Sequence, residues 1–189
     1  MPANHPPTPP VPGAVTVLDA ASIDRILRRI AHEIIERNPD LGQIALVGIP
    51  SRGVEIAQRL AAHIRQVQGV AIETGVIDVS MHRDDLHLRN RLLPVEPSHL
   101  PADLEHRTLI LVDDVLYSGR TCRAAMDALS SFGRPARIQY AVLIDRGHRE
   151  LPIRADYVGK NIPTAPGERI FVRLQTTDNE PDAVWISKP

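Results

Sequence analysis

The sequence has one cysteine, few aromatic residues and no long apolar run. Because Cys122 stands alone among 189 residues, no disulfide can form within the chain, and a cytoplasmic protein is expected. The apolar runs are too short for a membrane-spanning helix, so no membrane association is expected. No basic segment leads into an apolar one near the start, which argues against a secretory signal.

Excess charge and metal-binding patterns are absent as well. The formal net charge of −1 excludes a protein coated in positive charge, although a local basic face remains compatible with it. The eight histidines are scattered, so no zinc site built by the protein is expected. Cys122 is interpreted as a small packing residue rather than a nucleophile.

Proline dominates the first residues, and regular patterns follow. Residues 1–13 contain six prolines and almost no large apolar group, which predicts a disordered tail before a single domain over 14–189. A short strand is expected at 15–18. A helix is predicted over about 21–37, capped by Asp19 or Ser22. Its buried stripe at helical spacing comprises Ile23, Leu27, Ile30 and Ile34.

Strands then alternate with helices, which predicts an α/β fold with an open, mainly parallel sheet flanked by helices. Strands are expected at 44–49, 72–80 and 138–144, besides the one that precedes residue 113. The polar, proline-punctuated stretch at about 82–105 is typical of a mobile active-site lid. Residues 145–160 are predicted to be a loop, with short closing strands at 169–175 and 183–186.

The most informative segment covers residues 107–121. Its apolar run predicts a buried strand that ends in Asp113 and Asp114; a short loop with Ser118 and Gly119 leads into a helix. Adjacent carboxylates can accept hydrogen bonds from the vicinal hydroxyls of a ribose. The hydroxyls, N–H groups and positive helix end that follow suit a phosphate. The segment therefore predicts a phosphoribosyl-binding site.

Two further loops are expected at the same edge of the sheet, because parallel strands present their carboxyl ends together. One contains Ser51 and Arg52, whose fork can hold two oxygens of a diphosphate. The other covers residues 145–149. Lid arginines, namely Arg83, Arg89 or Arg91, are expected to cover a phosphate-bearing substrate. Neither the Walker pattern nor the dinucleotide-binding glycine pattern is present.

Residues 112–121 resemble the phosphoribosyl pyrophosphate (PRPP) motif of type I phosphoribosyltransferases. Residues 29–38 and the long stretch 145–164 are similar to the PyrR family, and the resemblance covers about 15–175. PyrR proteins combine uracil phosphoribosyltransferase activity with regulation of pyrimidine operons by transcription attenuation. The resemblance therefore implies a type I phosphoribosyltransferase fold with a hood and lid, and both activities.

The resemblance also implies residue roles. Asp113, Asp114 and Arg52 are the expected catalytic residues, with Ser51 and Arg52 in the pyrophosphate loop. Arg146 and the backbone near Ile170 would border uracil, and Arg91 would lie in the lid. The expected contacts of the ribose and the 5′-phosphate are Asp113, Asp114, Val115, Leu116, Tyr117, Ser118, Gly119, Arg120 and Thr121.

The implied ligands are PRPP with Mg²⁺, uracil, and the uridine nucleotides UMP and UTP. The implied macromolecular partners are leader RNA of the pyrimidine operon and further copies of the chain, in a dimer or higher homo-oligomer. The expected RNA-facing residues are Arg28, Arg29, His32, Arg37 and Lys160. Two alternatives stay open: a nucleotide-sensing RNA-binding regulator with little catalysis, and a purine phosphoribosyltransferase.

Overall fold

A computed structural model describes residues 9–82 and 97–188 of the chain. Its strands and helices fall into two sheets and the helices packed on them. In chain order they are β1 (Val15–Asp19), α1 (Ala20–Arg37), β2 (Ile44–Gly48), α2 (Arg52–Gln68), β3 (Glu73–Val76), β4 (Thr108–Leu116), α3 (Arg120–Leu129), β5 (Arg137–Asp145), β6 (Tyr157–Asn161), β7 (Arg169–Arg173), α4 (Gln175–Asp178) and β8 (Ala183–Ser187), with short 3₁₀ turns at Leu41–Gln43, Ser80–His82 and Leu104–His106.

The larger sheet is parallel, with strand order β3-β2-β4-β5-β6, which confirms the predicted open parallel sheet. The chain runs outward from β2 to β3 and then returns to the other side of β2 as β4. Strand order therefore reverses between β2 and β4. Ligands of open parallel sheets bind beyond the carboxyl ends of the strands at such a point. The two loops predicted to bind a sugar diphosphate both begin there.

Both faces of this sheet are covered by helices. Residues of β4 alternate between the two layers: Ile110 and Val112 pack with α1 and α2, whereas Leu109 and Leu111 pack with α3. All four side chains are fully buried. Burial on both faces explains the nearly continuous apolar run of the sequence, since a strand with one wet face would alternate with polar residues.

Helix α1 follows the predicted pattern closely. Asp19 caps it, because the Asp19 carboxylate accepts a hydrogen bond from the Ser22 N–H at 2.8 Å. The predicted stripe of isoleucines and leucine faces the core, with each member at most 1% exposed. The helix ends at Arg37 and is capped by Asn38, whose side chain donates to the Ile34 carbonyl and to the Tyr157 hydroxyl. This fixes α1 against β6.

The smaller sheet is antiparallel, in the order β1-β8-β7. We call β1, β7, α4 and β8 together the hood. Trp185 of β8 is fully buried, and α4 contacts α2 directly. The hood therefore places the last part of the chain against α2, the helix that begins where the strand order reverses.

Three predicted boundaries were wrong. Strand β4 continues through Asp113 and Asp114 to Leu116, because it stays paired with β5 as far as Asp145. Strand β3 is shorter than the predicted 72–80. Residues 157–160, the last part of the predicted loop, lie in the edge strand β6, which pairs in parallel with β5. Its partly polar, partly exposed sequence differs from that of the buried strands.

Two predicted segments lie partly outside the described residues. Of the disordered tail predicted for 1–13, residues 1–8 lie outside them; a turn stands at its end, where the Ala14 N–H donates to the Val11 carbonyl. Of the lid predicted for 82–105, residues 83–96 lie outside them. Within the described ranges, no helix is long and apolar enough to cross a membrane.

Candidate active site

A cavity of about 280 Å³ lies at the carboxyl end of β4. It is lined by Val115, Leu116, Tyr117, Ser118, Gly119, Arg120, Thr121, Cys122, Tyr140 and Glu150. The first seven of these residues belong to the predicted sugar-phosphate segment. The structure therefore gathers the predicted phosphate contacts around one concave space.

The loop between β4 and α3 has the backbone that a phosphate site needs. Gly119 has φ +94°, a left-handed conformation that side chains disfavour, and it lets α3 begin at Arg120. The Ser118 carbonyl accepts hydrogen bonds from the N–H groups of Glu150 and Leu151, which tie this loop to the segment after β5. The first N–H groups of a helix have no helical partner. Those of α3 belong to residues that line this cavity, so they can serve an anion.

The two acids are not equivalent, although the sequence suggested a matched pair. Asp113 is buried; its carboxylate accepts from the Asp114 N–H at 2.9 Å and from the Tyr140 hydroxyl at 3.3 Å. Burial, together with the charge of Asp114, raises the pKa of Asp113 well above its usual range. Asp114 is partly exposed and approaches Arg52, with 3.7 Å between Oδ2 and Nη1. Asp114 is therefore the acid whose carboxylate faces Arg52 and the solvent-accessible side of β4.

Arg52 is the first residue of α2, and the preceding Pro50–Ser51 peptide bond is cis. Ser51 is exposed and occupies the N-cap position of α2, but its side chain makes no capping hydrogen bond. A Cβ atom on Gly53 would lie 2.3 Å from the Val112 carbonyl oxygen, so glycine lets α2 start against β4. This close approach brings Arg52 beside Asp114, as the convergence of the loops predicted.

Arg52 also has a partner that the sequence gave no signal for. Its Nε and Nη2 donate to the two carboxylate oxygens of Asp178 at 2.9 and 2.7 Å. Asp178 is the last residue of α4, 126 positions along the chain. Such a pair depends on how the hood docks on α2, and no local pattern around Asp178 reveals it.

The third predicted loop joins the same edge. The Arg146 N–H donates to the Leu116 carbonyl at 3.1 Å, and the Arg146 guanidinium lies 4.3 Å from the centre of the Tyr117 ring. The guanidinium also donates to the Glu168 carbonyl at 2.7 Å. Because Ile170 is two residues beyond Glu168 in β7, Arg146 bridges the phosphate segment and the hood strand predicted to border the base.

Three residues that contact this region were missed by sequence analysis. Glu150 accepts from the Arg120 guanidinium at 2.8 Å, Tyr140 contacts Asp113, and Asp178 holds Arg52. Glu150 directly follows the predicted loop, so a slightly wider window would have included it. The predicted lid arginines Arg83, Arg89 and Arg91 lie outside the described residues.

The predicted RNA-facing residues divide between two sides of α1. Arg29 donates to the carbonyls of Val158 and Gly159, and Arg37 donates to that of Asp156, so both lie along β6, the strand that contains Lys160. Arg28 and His32 instead line a groove between α1 and α2, together with His63, Gln66 and Val67. The predicted residues therefore form a basic edge at α1 and β6 and a separate groove between α1 and α2. They do not form one continuous row along α1.

The donor set at the site fits a cation brought by a substrate. Within residues 9–82 and 97–188, no three His, Cys, Asp or Glu side chains cluster as a metal cage. Asp114 offers a partly exposed carboxylate oxygen beside the cavity segment. Mg²⁺ keeps several waters and is often bound by one or two carboxylates plus substrate phosphates. The fit is therefore to magnesium held largely by a diphosphate.

The fold is that of the type I phosphoribosyltransferases. The family model described as "Phosphoribosyl transferase domain" matches residues 15–175. Solved hypoxanthine phosphoribosyltransferases share the fold: one from Trypanosoma cruzi has a TM-score of 0.72 at 19% identity, covering 93% of this chain and 96% of that one. One from Staphylococcus aureus has a TM-score of 0.68 at 18% identity, covering 93% of each chain. At such identities the likeness concerns the fold alone.

The chain belongs to the PyrR family. It is 55% identical over 174 residues to the "Bifunctional protein PyrR" of Roseiflexus sp. (strain RS-1), covering 92% of this chain and 95% of that protein. It is 58% identical over 166 residues to the protein of the same name from Bacillus cereus (strain AH820), covering 87% and 92%. The protein is therefore a uracil phosphoribosyltransferase and a regulator of pyrimidine operons.

Proposed function

We propose that this site transfers the phosphoribosyl group of PRPP to uracil, giving UMP and pyrophosphate, with the residues in the roles given below. The observation that carries the assignment is the approach of Arg52 to Asp114 at the strand-order reversal, 3.7 Å apart, beside the cavity of the 115–122 segment. A cationic fork and a carboxylate then flank the space where the diphosphate and the ribose of one donor would meet.

The 5′-phosphate lies against residues 118–121, where helix N–H groups and hydroxyls meet it. Asp114 accepts hydrogen bonds from the ribose hydroxyls, and Asp113 supports it from the buried side. Ser51 and Arg52 hold the pyrophosphate, and Arg91 adds to that grip from the lid. Arg146 and the backbone at Ile170 border uracil. The Arg146 bonds to Leu116 and Glu168 support this placement between loop and hood.

Charge separation in the reaction explains the different roles of Asp114 and Arg52. As the C1′–O bond breaks, positive charge develops on the ribose and negative charge on the departing pyrophosphate. Asp114 stabilises the first and Arg52 the second, and a uracil nitrogen attacks C1′. Mg²⁺, when bound with PRPP, supplies further neutralisation of the diphosphate. Asp114 also remains a candidate base for the uracil proton.

The second role is recognition of leader RNA of the pyrimidine operon when UMP or UTP occupies the site. Arg29, Arg37 and Lys160 at the α1–β6 edge, with Arg28 and His32 in the adjacent groove, supply phosphate contacts. At 3% aromatic residues the chain has little capacity for base stacking, so shape and phosphate contacts dominate. A regulator of nascent RNA acts in the cytoplasm. We expect one domain over 14–189, assembled as a dimer or higher homo-oligomer.

The test of the enzyme is a base-selection assay. The protein is incubated with PRPP and Mg²⁺ and with either uracil or hypoxanthine, and nucleotide and pyrophosphate are measured. UMP is expected with uracil, and no IMP with hypoxanthine. Turnover of hypoxanthine would make the protein a purine enzyme. No turnover of either base, with UMP binding retained, would leave a nucleotide-sensing regulator.

A further inference from the structure

Helix α2 and the hood are joined by three polar contacts that follow one another along α2. Arg52 pairs with Asp178, Glu55 accepts from the N–H and hydroxyl of Thr177 at 2.8 and 2.7 Å, and Arg59 donates to Asp182 at 2.6 Å. Of these three side chains of α2, only Arg52 is placed at the pyrophosphate loop. The contact between Arg52 and Asp178 therefore connects the hood to the proposed chemistry.

The geometry of this contact divides the guanidinium into two parts. Asp178 takes Nε and Nη2 in a bidentate arrangement, while Nη1 faces Asp114 at 3.7 Å. A guanidinium has five N–H donors in a fixed plane. Two are used by Asp178, so donors remain on the side toward Asp114. A diphosphate can engage that side without displacing Asp178.

Asp178 is itself held in place. Its Oδ2 accepts from the Leu174 N–H at 2.9 Å, and Arg173 Nη1 lies 3.8 Å from Oδ1. Burial opposes the charge of Asp178, but the hydrogen bonds from Arg52 and from the Leu174 N–H outweigh it and lower the pKa. The carboxylate is thus ionised and fixed before any substrate arrives. Arg52, anchored to it, loses little side-chain entropy when it meets a diphosphate.

From this geometry we infer that Asp178 is a positioning residue for the phosphoribosyl transfer: it fixes the plane of Arg52 so that the Nη1 edge of the guanidinium, the edge beside Asp114, faces the pyrophosphate of PRPP. The inference rests on the proposed role of Arg52. It assigns the hood a task in donor binding, in addition to bordering the base. The opposite reading, in which Asp178 competes with the diphosphate for Arg52, predicts tighter diphosphate binding once the carboxylate is removed.

The chain offers a matched control in Asp182. Asp182 also accepts from an arginine of α2, Arg59, and from a backbone N–H at the start of α4, that of Gln175 at 2.9 Å. Asp178→Asn and Asp182→Asn therefore remove the same charge and the same kinds of hood contact. Only the first removes the anchor of Arg52. Loss of hood packing alone affects both variants alike.

The experiment measures KM for PRPP, KM for uracil, the inhibition constant of pyrophosphate, and Tm for both variants and for Arg52→Gln. For Asp178→Asn, loss of a charge-assisted bidentate anchor should raise KM for PRPP and the inhibition constant of pyrophosphate about tenfold, with KM for uracil unchanged. Asp182→Asn should lower Tm comparably and leave both diphosphate constants unchanged. Should Asp178→Asn fail to fold, the same constants are measured for Asp178→Glu, which keeps the charge but moves the carboxylate.

The outcomes separate this inference from the proposed function. If Arg52→Gln leaves the diphosphate constants unchanged, the role of Arg52 itself is wrong. If Arg52→Gln weakens diphosphate binding but Asp178→Asn behaves like Asp182→Asn, the positioning role of Asp178 is overturned. Tighter pyrophosphate binding by Asp178→Asn would also overturn it, in favour of competition.

Discussion

The Tyr140 hydroxyl donates a hydrogen bond to the Asp113 carboxylate across β4 and β5, with 3.3 Å between the oxygens. Both side chains are buried, and the other carboxylate oxygen of Asp113 accepts a hydrogen bond from the N–H of its neighbour, Asp114, at 2.9 Å. Two neutral donors do not replace the hydration of a full charge. This explains why burial and the nearby Asp114 charge raise the pKa of Asp113.

The raised pKa predicts a pH-dependent gain from Asp113→Asn. Below about pH 4 the carboxyl group is neutral in both the folded and the unfolded chain. As pH rises, the unfolded chain ionises first and is favoured, so the wild type loses stability until the folded pKa is passed. The Tm of Asp113→Asn relative to wild type should therefore be higher at pH 8 than at pH 4. Asp127→Asn, which removes an exposed acid of α3, is the control for loss of one negative charge. An equal gain of Asp113→Asn at both pH values would contradict the prediction.

Activity should not survive removal of both acids. Asp113→Asn combined with Asp114→Asn should lower kcat/KM for PRPP at least about a hundredfold, because no carboxylate then stabilises the charge developing on the ribose. Steady-state uracil assays measure this. A double variant with Asp103→Asn and Asp127→Asn, which loses the same charge outside the site, should retain activity. Retained turnover in the first variant would move the site elsewhere.

Cys122 should be inert toward thiol reagents in the folded protein. It lies in the first turn of α3 and is 3% exposed. Burial, together with Asp113 and Asp156, raises the pKa of the thiol to about 12. At pH 8 an aromatic disulfide reagent should therefore react with no thiol per chain until denaturant is added, and then with one. Rapid reaction of the native protein would show an accessible thiolate.

Local patterns in the sequence were sufficient for the elements that carry them. Spacing alone predicts the apolar stripe of α1 and the buried strands β2, β4 and β5. The 113–121 segment is predicted by the types of residue that stand next to one another in it. The partners that were missed come from distant segments: Tyr140 reaches Asp113 because β5 pairs with β4 in register, and Asp178 reaches Arg52 only because the hood docks on α2. Edge strand β6 was missed because its exposed residues weaken the apolar signal.

The RNA-facing side of α1 can be tested apart from catalysis. Arg28 is 59% exposed and pairs with Asp24, whereas Arg29 is 47% exposed and reaches the carbonyls of β6. Arg28→Ala with Arg29→Ala should weaken binding of pyrimidine-operon leader RNA about tenfold or more at low salt, because two phosphate contacts are lost. Salt-dependent filter binding in the presence of UMP measures this.

The control for that variant removes the same charge elsewhere. Arg134→Ala with Arg137→Ala affects two exposed arginines at the amino end of β5, outside the predicted RNA face. This control should bind RNA as the wild type does. Because phosphate contacts set the salt dependence, the α1 variant should also show a shallower slope of affinity against salt. Uracil kinetics should be unchanged in both variants. Equal RNA affinity for the two variants would remove α1 from the interface.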